Sequence, residues 1–191
     1  MSCTLGVLAS GRGSNFQAIQ REIEQGALDA RITLLLSDRA DAPALEIARV
    51  HGIRAEALAY DKHDRAAFER QAADLLEAAG CEWIVLAGFM RILTPVFLER
   101  FGGRILNIHP SLLPSFKGLH PQRQALEAGV KFSGCTVHLV TRELDDGPIL
   151  AQAVVPVFDA DTEATLAARI LEQEHRIYPE AIRALNSLRQ Q

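Results

Sequence analysis

An apolar run, Cys3 to Ala9, passes directly into Ser10-Gly11-Arg12-Gly13 and then into Ser14 to Gln25, where Phe16, Ile19 and Ile23 recur at helical spacing. This strand, glycine turn and helix open a βα pattern that the chain then repeats. Ile32 to Leu36 reads as a second strand, and Pro43 to Val50 as a helix closed by Gly52. Asp64 caps a longer helix, with Phe68, Leu75 and Ala79 on one face before Gly80, and Trp83 to Ala87 follows as a buried strand. Thr94-Pro95 starts a short helix, with the threonine hydroxyl as cap, that stops at Gly102-Gly103. Arg104 to Ile108 is the next strand, and a Pro- and Gly-containing loop runs from Pro110 to Gly118. Residues 120–129 read as helical, and 134–141 and 149–157 as extended. Asp161 or Thr162 caps a last helix carrying Leu166, Ile170 and Ile177, which Pro179 is expected to break or kink.

Strands that are apolar almost without interruption need cover on both faces. The alternation therefore predicts an α/β fold with a mostly parallel central sheet and helices on both faces. Two late strands with few helices between them suggest an antiparallel edge. With 191 residues and no linker, repeat or low-complexity tract, one compact unit is the simplest organisation.

Composition narrows the function. The net charge of −4 argues against a nucleic-acid coat, although it leaves small anionic substrates open. No apolar stretch approaches the ~18 residues of a membrane span. The opening MSCTLGVLAS lacks a basic signal-peptide start. Three widely spaced cysteines, Cys3, Cys81 and Cys135, with no CxxC pair, point to a reduced, cytoplasmic setting. No metal-ligand spacing such as HExxH occurs.

Three constellations remain. In Ser10 to Asn15, glycines and helix-start N–H groups suit an anion. Phe16 stands where a dinucleotide fingerprint wants its third glycine, and the Walker lysine is absent, so a monophosphate fits better than a pyrophosphate; an ordinary tight turn remains open. Asn107 and His109 are two apart at a strand end and share a face, placing an amide donor beside a group that titrates near neutrality. For an isolated N-x-H, a structural role is the commoner reading. In Arg142 to Pro148, Asp145 and Asp146 are either solvated turn residues or supply a carboxylate that folds back on His109 and favours its charged form. Spacing does not choose. His51, His63 and His175 read as surface or packing residues, Trp83 as core, and His138 as open between packing and support of a site.

Ala87 to Leu93, Leu106 to Pro114, Gly118-Leu119-His120, and Leu144-Asp145 with Gly147-Pro148 together resemble the phosphoribosylglycinamide formyltransferase family, in unbroken order through Gln173-Glu174-His175. The resemblance implies a single Rossmann-like formyltransferase domain over residues 1–191, with a nucleotide-binding half to about residue 100 and a catalytic and folate-binding half beyond. It implies transfer of a formyl group from 10-formyltetrahydrofolate, as co-substrate, to the amine of glycinamide ribonucleotide in purine biosynthesis. It implies no part for a metal, a nucleic acid or a membrane. By position, Gly13, Ser14, Asn15 and Glu174 would bind the ribonucleotide. Arg65, Met90, Arg91, Ile92, Leu93, Asn107, Thr141, Arg142, Glu143, Leu144 and Asp145 would line the folate site. Asn107, His109 and Asp145 would be catalytic. The nearest rival, formyltetrahydrofolate hydrolase, carries a second histidine where Pro110 stands here and an N-terminal regulatory domain. Methionyl-tRNA formyltransferase carries an added tRNA-binding domain. A non-catalytic phosphosugar- or folate-binding module has no need of the trio.

Overall fold

The computed structural model describes residues 2–188, and the chain forms two compact units, one ending at Leu106 and one beginning at Asn107. The first holds β1 (Cys3–Leu8), β2 (Ala30–Ser37), β3 (Arg54–Ala57) and β4 (Trp83–Leu86), with α1 (Ser14–Glu24), α2 (Pro43–Val50), α3 (Arg65–Ala78) and α4 (Pro95–Phe101). β1 pairs in parallel with β2 and β4, and β2 with β3. Leu34, Leu35 and Leu36 are all fully buried, as strands covered on both faces require. Gly6 lets α3 approach: a Cβ there would stand 2.3 Å from Leu76 Cδ2.

Three local expectations change. β3 was not foreseen, because Arg-Ala-Glu-Ala has no apolar alternation; it forms by backbone pairing to β2. The buried stripe of α3 runs through Phe68, Ala72 and Leu76, with Leu75 and Ala79 only half-buried. The Thr94 hydroxyl does not cap α4. Instead it and its own backbone N–H donate to the buried Glu69 carboxylate, the N–H at 2.8 Å.

In the second unit, β6 (Phe132–Leu139) and β7 (Ile149–Pro156) form the antiparallel edge, joined by α5 (Pro121–Glu127) and α6 (Glu163–Leu188). β5 (Ile105–His109) runs from the last residues of the first unit into the second, and the strand order is β3-β2-β1-β4-β5-β6-β7. Pro179 does not break α6. The lost hydrogen bond and ring clash cost about 3 kcal/mol, and burial of Ile177, Tyr178, Ala181 and Ile182 around it offsets that.

Candidate active site

The end of β5 presents Asn107 and His109 on one face, and both meet partners from the β6 side of the second unit. Asn107 Nδ2 lies 3.2 Å from His138 Nε2, while His138 Nδ1 lies 3.0 Å from the Leu139 carbonyl. A carbonyl only accepts, so His138 carries its proton on Nδ1 and its Nε2 accepts from the Asn107 amide. Burial holds the His138 pKa below its ordinary value, outweighing the hydrogen bond to Leu139 and the charge of Asp145, which push the other way. The neutral ring thus fixes which end of the Asn107 amide donates. The β6–β7 register shifts here: Val137 pairs with Ala151 and His138 with Ile149, so β7 carries an extra residue, Leu150, opposite this placement, a device that re-aims side chains beside sites.

His109 is buried. Its Nε2 donates to the Phe116 carbonyl at 2.9 Å, and its Nδ1 faces Asp145 Oδ2 at 3.4 Å. Asp145 Oδ2 also accepts from the Gly118 N–H at 2.9 Å, and Oδ1 stands 3.8 Å from His138 Nε2. The adjacent Asp146 turns away and pairs with Lys117. Asp145 sits at φ 49°, and Phe116 and His120 also have positive φ, so backbone strain gathers around the histidine.

Residues that spacing did not single out hold this arrangement. The Thr136 hydroxyl donates to the Ser111 carbonyl at 2.7 Å and accepts from Leu113 N–H at 3.0 Å and from Gln152 Nε2 at 3.0 Å. Ser111 donates to the Ser115 carbonyl at 2.6 Å. The only sequence signal was polar residues inside apolar strands. The folate-assigned residues Thr141, Arg142, Glu143 and Leu144 are exposed on the β6–β7 loop, and Glu174 is buried on α6.

In the first unit, Gly13 stands at φ 70° before α1, with no side-chain cap on the helix start, so Ser14 and Asn15 open a helix whose first N–H groups face a glycine turn. The Ser10 hydroxyl accepts from Met90 N–H at 3.0 Å. A cavity of about 190 Å³ lies at the carboxyl ends of β1, β2 and β4, lined by Ser10, Gly11, Asp38, Gly88, Met90 and Arg91. Open parallel sheets bind ligands at such ends. Met90, Arg91 and Ile92 are exposed on the segment after β4, Leu93 is half-buried, and Arg65 is exposed at the start of α3. Among the described residues no group of three or more His, Cys, Asp or Glu is placed to hold a metal, and no helix is long and apolar enough to cross a membrane.

A family model described as formyl transferase matches residues 4–182. The chain belongs to the formyl transferase family. Within the family it is 47% identical to phosphoribosylglycinamide formyltransferase of Escherichia coli (strain K12), over 91% of this chain and 82% of that one. The crystal structure of glycinamide ribonucleotide transformylase 1 from Symbiobacterium toebii superposes with a TM-score of 0.92 at 51% identity, covering 95% of this chain and 86% of that one. A formyltetrahydrofolate deformylase from Pseudomonas syringae has a similar TM-score, 0.91, but only 28% identity, covering 96% of this chain and 61% of that one. The fold is therefore shared by a transformylase and a deformylase, and the higher identity lies with the transformylase.

Proposed function

We propose that this chain transfers the formyl group of 10-formyltetrahydrofolate to the amine of glycinamide ribonucleotide in purine biosynthesis. The observation that carries the reading is the Asn107–His138 and His109–Asp145 cluster at the end of β5, in a chain 47% identical to an enzyme of that name. The chain works as one formyltransferase domain. Residues to about 100 serve the nucleotide, with Gly13, Ser14 and Asn15 on its phosphate. Residues from about 101 serve catalysis and the folate, and Glu174 also takes the ribonucleotide. Arg65, Met90 to Leu93, Asn107 and Thr141 to Asp145 take the folate. Three cysteines that form no disulfide support a reducing, cytoplasmic setting.

Chemically, the amine nitrogen attacks the formyl carbon, the C=O π pair moves to oxygen, and a tetrahedral oxyanion results. The second Asn107 amide N–H, the one not given to His138, is available to that oxyanion. His109 Nε2–H contributes by sharing or leaving the Phe116 carbonyl. Collapse re-forms the C=O and breaks the bond to the folate nitrogen. The proton lost by the amine ends on that nitrogen, with His109 able to carry it.

The test is release of tetrahydrofolate from 10-formyltetrahydrofolate with and without the ribonucleotide. Transfer requires the acceptor. Equal release without it indicates hydrolysis, and no release in either case indicates a binding module; either result overturns the proposal.

A further inference from the structure

We infer that Asp38 is a positioning residue for the segment Met90–Leu93, acting through Arg91. The inference rests on the reading above in that it takes this segment to meet the folate. Asp38 follows β2 directly, and its side chain is 1% exposed. Its Oδ2 accepts from Arg91 Nε at 2.6 Å. On its other side the Arg91 guanidinium carbon lies 4.1 Å from the centroid of the Tyr60 ring. Tyr60 meets Phe68 edge-on with centroids 5.5 Å apart, and Phe68 stacks on Phe89 at 6.2 Å, so the arginine leans on an anchored aromatic wall.

The segment needs such anchors. Between the end of β4 and the start of α4 it has no helix or strand pairing of its own. Gly88 turns it at φ 73°, the Ser10 hydroxyl takes the Met90 N–H, and Asp38 takes the Arg91 side chain. A carboxylate this buried is costly unless a cation answers it, so Asp38 demands Arg91 in one place. The neighbouring Arg39 makes its hydrogen bonds to Asp41, at 2.8 and 3.0 Å, and reaches Asp38 only through its charge. Arg91 remains 38% exposed while held at its Nε and on its face. This is how a side chain is kept ready for a ligand rather than packed away.

The test compares the unaltered chain with Asp38→Asn, Arg91→Gln and the double variant. Steady-state KM for both substrates and kcat are measured, and calorimetric Kd for 10-formyltetrahydrofolate is read on the same proteins. Asp38→Asn is expected to raise the folate KM and Kd about tenfold, with the ribonucleotide KM and kcat within about twofold. In the Arg91→Gln background, Asp38→Asn is expected to add nothing, since it acts only through that arginine. An unchanged folate Kd, an equal rise in both KM values, or a full effect persisting without Arg91 overturns the inference. If Asp38→Asn alone fails to fold, the double variant, which leaves neither charge unpaired, and Asp38→Glu, expected to recover most of the folate affinity, decide it. An unaltered chain that binds the folate but transfers nothing overturns the proposed reaction alone, and the Kd series still judges Asp38. An unaltered chain that binds no folate overturns both.

Discussion

The Asp145 carboxylate faces Nδ1 of His109 at 3.4 Å, from a backbone at φ 49° that few residues other than glycine adopt. The chain accepts that strain because the Gly118 N–H grips the same carboxylate oxygen at 2.9 Å. One oxygen thereby ties the loop after β6 to the loop after β5. It also gives the histidine a charged neighbour at Nδ1, across the ring from the Nε2 that donates to the Phe116 carbonyl.

Asp145→Asn is accordingly expected to lower kcat by roughly 100-fold or more, as removing electrostatic support from a developing charge does. Asp146→Asn breaks only the exposed pair with Lys117 and is expected to change kcat less than about threefold. Parallel kinetics of the two variants check this. A larger loss in Asp146→Asn would mean that the wrong carboxylate has been chosen.

Asn107→Ala and His109→Ala are each expected to cost about 100- to 1,000-fold in kcat with smaller changes in KM, because both donors act on charge that develops only in the transition state. Their effects are expected to be less than multiplicative, since both serve one oxygen. A double variant with near-native kcat would end this mechanism.

Much of this was legible in the residues. The βα alternation, the Ser10-to-Asn15 turn and the shared face of Asn107 and His109 follow from period and spacing alone. What was not legible depends on contacts distant in sequence. Asp145 and Asp146 are chemically identical until the fold turns one to His109 and the other to Lys117. His138 becomes a support only when β6 is aligned against β7 and the extra residue of β7 shifts their register, and Thr94 loses its capping role to a glutamate 25 residues earlier. β3 left no trace because backbone pairing, not side-chain burial, creates it.

Two glycines of the first turn separate binding from folding. A Cβ on Gly13 would stand 2.8 Å from Ala44 Cβ at φ 70°, so Gly13→Ala is expected to lose about 1–3 kcal/mol of stability. Gly11 has nothing within 4 Å of its virtual Cβ. Gly11→Ala is therefore expected to keep stability within ~0.5 kcal/mol while raising the ribonucleotide KM, if a phosphate approaches that backbone. Denaturant melts and KM values on both variants check the contrast.

Gly147 is required for a different reason. A Cβ there would lie 1.7 Å from the Leu139 carbonyl oxygen, a backbone atom with no freedom to yield. Gly147→Ala must push the loop outward, taking Asp145 with it. The expected result is a stability loss of roughly 1–3 kcal/mol together with a fall in kcat like that of Asp145→Asn. Full activity in this variant would show that the loop position does not set the carboxylate.

His138 gives the structure a pH dependence whose sign can be worked out. Burial lowers its pKa in the folded chain, while the unfolded chain keeps the ordinary value near 6.5. Above that value both states are neutral at this residue, and it contributes no slope. As pH falls below it, the unfolded chain takes up a proton that the folded chain refuses, so stability falls until the lower folded pKa is passed. Denaturant unfolding between pH 7.5 and 5 is expected to show this loss, and His138→Gln, which keeps an acceptor for the Asn107 amide without titrating, is expected to flatten it. His138→Phe flattens the slope equally but removes the acceptor, so its kcat is expected to fall well below that of His138→Gln. Equal kcat in the two variants would show that His138 only fills space behind Asn107.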